Sequence, residues 1–249
     1  MDFSIITVTY NSANTINDCL ASVAQQRGEV EHLIIDGAST DETVSIARRL
    51  SPKARVVSEP DCGIYDAMNK GLRIATGEVI GILNSDDLYI DGRVLEKVGA
   101  VMADPAVDGV FADLVYVRPN NLERVVRFYS GAQASPEGFA WGWMPPHPTF
   151  FVRRAVYEKY GLFRTDYEIA ADYELMTRFL ARYRIRCAYL PEVLVKMRTG
   201  GVSTRGMRST WVLNREILRA CRENGVNSNY LMIYSKYVRK SLQLFRRPA

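Results

Sequence analysis

The feature that most constrains this chain is an alternation in its N-terminal part. Residues 3–9 (FSIITVT), 32–35 (HLII), 55–58 (RVVS) and 79–83 (VIGIL) are short runs, mostly β-branched, bounded by polar or glycine-containing turns. Such runs read as strands. Residues 16–26, a stretch ending near Leu50, and residues 64–75 carry the helical period between them, with Ile16, Leu20 and Val23 on one face of the first. Ser39 or Thr40 is the expected cap of the second helix. Thr76-Gly77 is the expected end of the third, with the glycine as a left-handed C-cap. Strand and helix repeating about every 25–30 residues is the pattern of βαβ units on a parallel sheet.

Right-handed crossovers put the C-terminal ends of all such strands on one rim. Asn11, Asp36, Asp61 and the pair Asp86-Asp87 follow the four strands, so they converge on the crevice where open α/β sheets bind ligands. Each alone could be an ordinary loop or cap residue. The adjacent carboxylates need a partner to offset their repulsion. Oxygen ligands there suit a hard divalent cation accompanied by a phosphate-bearing substrate. A metal-bound nucleoside diphosphate is the ligand these residues point to.

With 249 residues, 47% of them apolar, the chain can build one large α/β domain or two small ones. No stretch approaches the roughly 18 apolar residues of a membrane span, and the N-terminus lacks the basic region of a secretory signal. Cys19, Cys62, Cys187 and Cys221 lie far apart, so neither a zinc site nor a disulfide framework is expected, which fits a reducing cytoplasm. The net charge of +4 is uneven: from Arg205 onward ten Lys/Arg face two acids, while residues 1–204 are net acidic. Residues 231–247 have helical periodicity, with Leu231, Tyr234, Val238, Leu242 and Phe245 on one arc and Lys236, Arg239, Lys240, Arg246 and Arg247 opposite or flanking it. Such a helix can lie on an anionic membrane surface, or pack on the body with its basic face solvated. A nucleic-acid partner is not expected, because the body is acidic and carries no recognition motif.

The second half is less regular. Residues 108–117 alternate as a strand, with 124–128 as a pairing partner; 133–148 is a long loop rich in Gly, Pro and Trp, a kind that is commonly functional. Residues 149–152, 187–189 and 193–196 read as short strands, 154–160 as a helix, and 172–183 as a helix with Leu175, Phe179 and Leu180 inward. His147 stands between prolines, where it could meet acceptor, donor phosphate or metal, or be structural. Trp141 and Trp143 could stack on a sugar or anchor the loop. Residues 199–203 read as a hinge or a plain glycine turn, with Lys196, Arg198 and Arg205 as cations near it.

These segments carry a resemblance. SIITVTYNS (4–12), IIDGASTDET (34–43), EPDCGIYDAMNKG (59–71), GEVIGILNSDD (77–87), HPTFFVRRAVYEKYGLF (147–163) and ADYELMTRF (171–179) are similar, in order, to family-2 glycosyltransferases, the inverting nucleotide-sugar transferases of the GT-A fold. The resemblance implies an α/β fold with a Rossmann-like, mostly parallel central sheet flanked by helices. It implies a glycosyltransferase domain over residues 1–205, with 1–100 as the nucleotide-sugar half and 101–205 as the acceptor and catalytic half, followed by a basic amphipathic helical extension at 206–249. Thr9, Tyr10 and Asn11 would border the nucleoside and Asp36 the pyrimidine. Asp61, Asp66, Asn69 and Lys70 would lie near ribose and diphosphate, and Ser85 beside the donor. Asp86 would face ribose and metal, and Asp87 would ligate the Mn²⁺ or Mg²⁺. Asp172 would be the general base, although it stands at a helix start where Asp is also a plain N-cap. Ala171 replaces the acid that often precedes that base, and Glu174 is the competing carboxylate. The implied reaction moves a sugar, from a UDP-linked donor, to a sugar or lipid-linked acceptor hydroxyl in polysaccharide or glycolipid synthesis. A cytoplasmic protein, able to sit peripherally on the membrane through residues 229–247, is the expected setting. The alternatives are a sugar nucleotidyltransferase, whose glycine-rich loop after strand one is missing at residues 10–14, and a non-catalytic membrane-associated assembly partner that keeps the fold.

Overall fold

The computed structural model describes residues 1–200 and 206–235. Strands β1 (Phe3–Thr9), β2 (Val30–Asp36), β3 (Arg55–Ser58) and β4 (Val79–Ile82) alternate with helices α1 (Ile16–Ala24), α2 (Thr43–Leu50) and α3 (Ile64–Ile74). All four strands run parallel, in the spatial order β3-β2-β1-β4. β1 is wholly buried because helices cover both of its faces, as a β-branched central parallel strand requires. Its alternation sends Ile6 and Val8 into a core shared with Met68 and Leu72 of α3. Phe3 and Ile5 go into a core on the other face, with Cys19 and Val23 of α1.

The remaining strands extend this sheet: β5 (Asp87–Tyr89), β6 (Gly109–Arg118), β7 (Asn121–Tyr129), β8 (Phe151–Arg153) and β9 (Cys187–Arg198). β8 joins the halves, pairing antiparallel with both β4 and β6. β9 lies parallel to β6, β5 closes that edge antiparallel to β9, and β7 forms a hairpin with β6. The expected strands at 187–189 and 193–196 are one strand, whose ladder with β6 slips around Asp113.

Helices α4 (Val94–Met102), α5 (Arg154–Tyr160), α6 (Ala171–Met176) and α7 (Met207–Glu223), with a helical stretch at 230–235, are the further helices among the described residues. After α6 the helix continues with π geometry over Thr177–Arg182. The loop at 133–148 contains a 3₁₀ turn at Pro136–Trp141, and a second follows at His147–Thr149.

Three expectations need correction. α2 starts at Thr43, and the carboxylate that receives its first N–H is Asp41, at 3.0 Å; Ser39 and Thr40 bind other partners. Gly77 is not a left-handed cap, since α3 ends at Ala75 with extended backbone. A Cβ at Gly77 would lie 2.6 Å from the Ser4 amide nitrogen, so close passage of β1 explains the glycine. The segment from residue 206 is no appendage over its described part. Ile217, Leu218, Ala220, Cys221 and Ile233 sit in the same core as β1 and α3. Residues 236–249, with most of the expected basic helix, lie outside the described residues. Within 230–235, Leu231 is 86% exposed on the expected apolar arc, and no helix among the described residues is long and apolar enough to cross a membrane.

Candidate active site

The rim after β1 and β2 is built from short polar side chains bonded to neighbouring amides, which is how Asn, Asp, Ser and Thr shape loops. Asn11 takes a left-handed conformation, φ +47°, that asparagine tolerates better than most residues. Its Oδ1 accepts the Thr40 N–H at 2.9 Å, and its own N–H donates to Ser39 Oγ at 2.8 Å. The amides of Ser12 and Ala13 donate to Thr43 Oγ1 and Asp41 Oδ2. Asp36, 1% exposed, accepts from the Ser39 N–H, Ser39 Oγ and Ser58 Oγ at 2.5–2.9 Å. Its carboxylate therefore binds the loop together as well as bordering the crevice. Tyr10 stands 63% exposed beside it, an aromatic face open for a base to stack on. Thr9 is buried, and its Oγ1 has no partner among the described residues.

Asp61 lies over this loop: a Cβ at Gly37 would come within 2.4 Å of its Oδ2, while its Oδ1 accepts the Gly63 N–H at 2.8 Å. Asp66 accepts the Cys62 N–H. Lys70 donates to the Pro60 carbonyl at 2.6 Å and pairs with Glu59 at 3.0 Å. The hydrogen bond to Glu59 holds its ammonium above the usual lysine range. Asn69 departs from expectation. It is buried, and both ends of its amide are taken by the backbone of Phe163 at 2.8 and 2.9 Å, so it clasps α3 to the second half instead of facing a donor.

The Asp86-Asp87 pair divides. Ser85 Oγ donates to Ser12 Oγ at 2.9 Å, which ties the end of β4 to the first loop. Asp86 is part-exposed at the rim. Asp87, in β5, is 0% exposed with neither carboxylate oxygen partnered among the described residues. Burial, then the charge of Asp86, pushes its carboxyl well above the ordinary range. Divalent cations of the Mg²⁺ type are commonly held by one or two carboxylates plus substrate phosphates. The described residues contain no group of three or more His, Cys, Asp or Glu that could enclose a metal. An open Asp86 backed by an enclosed carboxylate with vacant oxygens fits that mode. Arg198 is a second correction. Its guanidinium is buried, donates to the Asp86 carbonyl at 2.7 Å and pairs with Asp18, so it braces the pair's backbone and is not a cation awaiting diphosphate. Arg205 lies outside the described residues.

Across the crevice, Asp172 is the second residue of α6. Its Oδ1 accepts the Tyr173 N–H at 2.7 Å and its Oδ2 lies 3.3 Å from Nδ1 of His147. Both side chains line a cleft of ≈ 410 Å³, open to solvent, together with Asn84, Ile82, Met68 and Phe163. Asn84 Oδ1 is buried there with no partner among the described residues, an acceptor available to a hydroxyl. Glu174, the competing base, is a third correction. It is buried, its carboxylate pairs with Arg178 at 3.1 Å, and its Oε1 accepts a hydrogen bond from Asn224 Nδ2 at 3.2 Å, so both partners hold it away from the cleft. Trp143 packs against Gly138, which supports the anchoring reading, and Trp141 is exposed on the 3₁₀ turn. Sequence reasoning missed Asn84, because an asparagine before two aspartates carries no local signal of a cavity.

A parallel nucleotide-type half joined through β8 to a half bearing a carboxylate in a shared cleft is the architecture of GT-A glycosyltransferases. Solved structures with this fold include Staphylococcus aureus TarS 1–349 in complex with UDP-GlcNAc. There the TM-score is 0.70 at 18% identity, covering 94% of this chain and 71% of that one. Mannosyltransferase PcManGT from Pyrobaculum calidifontis, in complex with GDP-Man and Mn²⁺, matches with a TM-score of 0.62 at 22% identity, covering 98% and 81%. Residues 4–161 match glycosyl transferase family 2, and the chain belongs to that family. It is a glycosyltransferase. A PGL/p-HBAD biosynthesis glycosyltransferase of Mycobacterium bovis is 29% identical over 222 residues, covering 87% of this chain and 82% of that protein. The succinoglycan biosynthesis protein ExoU of Rhizobium meliloti is 25% identical, covering 98% and 77%. Family membership sets aside the nucleotidyltransferase and the non-catalytic partner.

Proposed function

We propose that the enzyme transfers a sugar from a UDP-sugar to an acceptor hydroxyl on a growing glycan or glycolipid, with inversion, and that Asp172 is the general base. The observation that carries this reading is the cleft where Asp172 and His147 face Asn84, at the end of β4, two residues before Asp86. A donor lying on the rim along Tyr10, Asp36 and Asp61 would bring its anomeric carbon to that cleft. His147 would hold Oδ2 of Asp172 on one side, leaving its other lone pair toward the acceptor. As the acceptor oxygen bonds to the anomeric carbon, Asp172 takes its proton. The carbon–oxygen bond to the diphosphate breaks on the opposite face, which inverts the centre. Asp86, with Asp87 behind it, would hold a Mn²⁺ or Mg²⁺ whose chemistry is to offset charge on the departing diphosphate. The UDP-GlcNAc and GDP-Man/Mn²⁺ complexes of fold neighbours, and the glycan-building roles in the names of the relatives, support these assignments.

The test is a panel of UDP-, GDP- and dTDP-sugars with Mn²⁺, read by thermal shift and by release of free nucleotide. A UDP-sugar should stabilise the protein, EDTA should remove the effect, and Asp86→Ala should abolish the metal dependence. A response to no nucleotide, with or without metal, would sink the donor assignment, and an Asp86→Ala protein that still needs metal would sink that ligand.

A further inference from the structure

The segment that carries Asp172 is held from outside the region that defines the family. Glu216 lies on α7, beyond the family match at 4–161, and is 5% exposed. Its carboxylate accepts three consecutive backbone N–H groups: Glu168 on Oε1 at 2.7 Å, and Ile169 and Ala170 on Oε2, both at 2.9 Å. Successive amides pointing to one place form an anion-binding concavity, and here the anion comes from the chain itself. These amides immediately precede α6, whose N-cap position, Ala170, has no side chain able to accept from the helix's free amides. From the other side, Tyr65 Oη donates to the Ile169 carbonyl at 2.5 Å, so the peptide before the helix is gripped at both its N–H and its C=O.

We infer that Glu216 is a positioning residue for the glycosyl-transfer step: it sets the start of α6 so that Asp172 meets His147 and the acceptor. This rests on the reading of Asp172 as the base. Its physical basis is that three bonds to an ionised carboxylate, largely shielded from water, are strong and directional. Asp172 is only two residues from the last of them. A shift of about 1 Å in a catalytic group can cost as much as a hundredfold in rate. α7 also fastens the neighbouring turn, through Arg219 to the Asp166 carbonyl and Glu223 to Tyr167 Oη, so Glu216 is the member of this set nearest the base.

Glu216→Gln keeps the shape and replaces one acceptor oxygen by a donor that faces an N–H. In the full-length protein, transfer kcat should fall roughly ten- to hundredfold, while donor affinity by calorimetry and donor KM stay unchanged. In an Asp172→Asn background the same change should have no further effect on residual transfer, because the group being positioned is already gone. If Glu216→Gln does not fold, Tyr65→Phe, which releases the same peptide from the other side, is read the same way. An unchanged kcat overturns the inference. So does a parallel loss of donor affinity and kcat, or independent, multiplying losses in the double variant, either of which marks a merely structural role. An inactive Asp172→Asn beside a fully active Glu216→Gln overturns this inference alone. A fully active Asp172→Asn overturns the base reading and this inference with it.

Discussion

The two walls of the crevice are made rigid in different ways. On the proposed donor side, the loops after β1 and β2 hold each other through Asn11, Ser39, Asp41 and Thr43, each side chain accepting from a backbone amide of the other segment. On the side of the proposed base, Asp172 sits on a six-residue helix that supplies no cap of its own and borrows its fixing points from Tyr65, His147 and Glu216. The first wall is a local device written in two loops about 28 residues apart. The second is a product of packing between distant segments. A wall of the first kind should respond to loop substitutions by losing ligand affinity. A wall of the second kind should respond by losing rate.

The sharpest test of that contrast is Asp172→Asn. The amide preserves size and can still face His147, so donor binding should persist while transfer falls about 10²–10⁴-fold, the usual contribution of a positioned base. Calorimetry with donor, beside single-turnover transfer, checks it; equal losses in both would mean the walls are not separable.

The second test uses acid to ask whether the walls unfold as one. His32 is buried in β2 under the donor loops, with its Nε2 3.0 Å from Thr7 Oγ1, and burial pushes its imidazole down to about 4 from the ordinary 6.5. It is neutral in the fold, whereas the unfolded chain takes up a proton near 6.5. Its contribution is therefore fully present above pH 6.5 and is lost as pH falls toward 4, by about 3 kcal/mol in full. Urea unfolding at pH 7 and at pH 4.5 should show wild type losing more stability than His32→Gln. If donor binding and transfer disappear at the same urea concentration, the halves joined by β8 form one cooperative unit.

The smallest effect is expected from Asn11→Ala. It removes the acceptor for the Thr40 N–H and leaves a non-glycine residue with a Cβ at φ +47°, a cost of about 1–2 kcal/mol. Donor affinity should weaken about tenfold with kcat nearly unchanged. A fall in kcat at constant affinity would break the contrast between the walls.

Much of this was legible in the residues. β-branched runs such as FSIITVT can satisfy burial on both faces only as central parallel strands, so β1, β2 and β4 follow from composition and period, with β3 as the half-exposed edge beside β2. Asn11, Asp36, Asp61 and Asp86 were placed on one rim by the handedness of crossovers alone. What failed locally failed for tertiary reasons. Asn69 and Glu174 look like free polar groups in sequence, yet Phe163 and Arg178 consume them. Gly77 looks like a cap, yet it is small because Ser4 passes beside it.

The sequence by itself determined the parallel half, the family, and which carboxylates stand at the strand ends, because these depend on period, handedness and residue type. Only the tertiary structure decided that Asp86 is open while Asp87 is enclosed, that His147 meets Asp172, and that Glu216 grips the amides before α6. Those facts depend on which distant groups come within hydrogen-bond reach, and a bond of about 3 Å between residues decades apart in the chain leaves no local pattern to read.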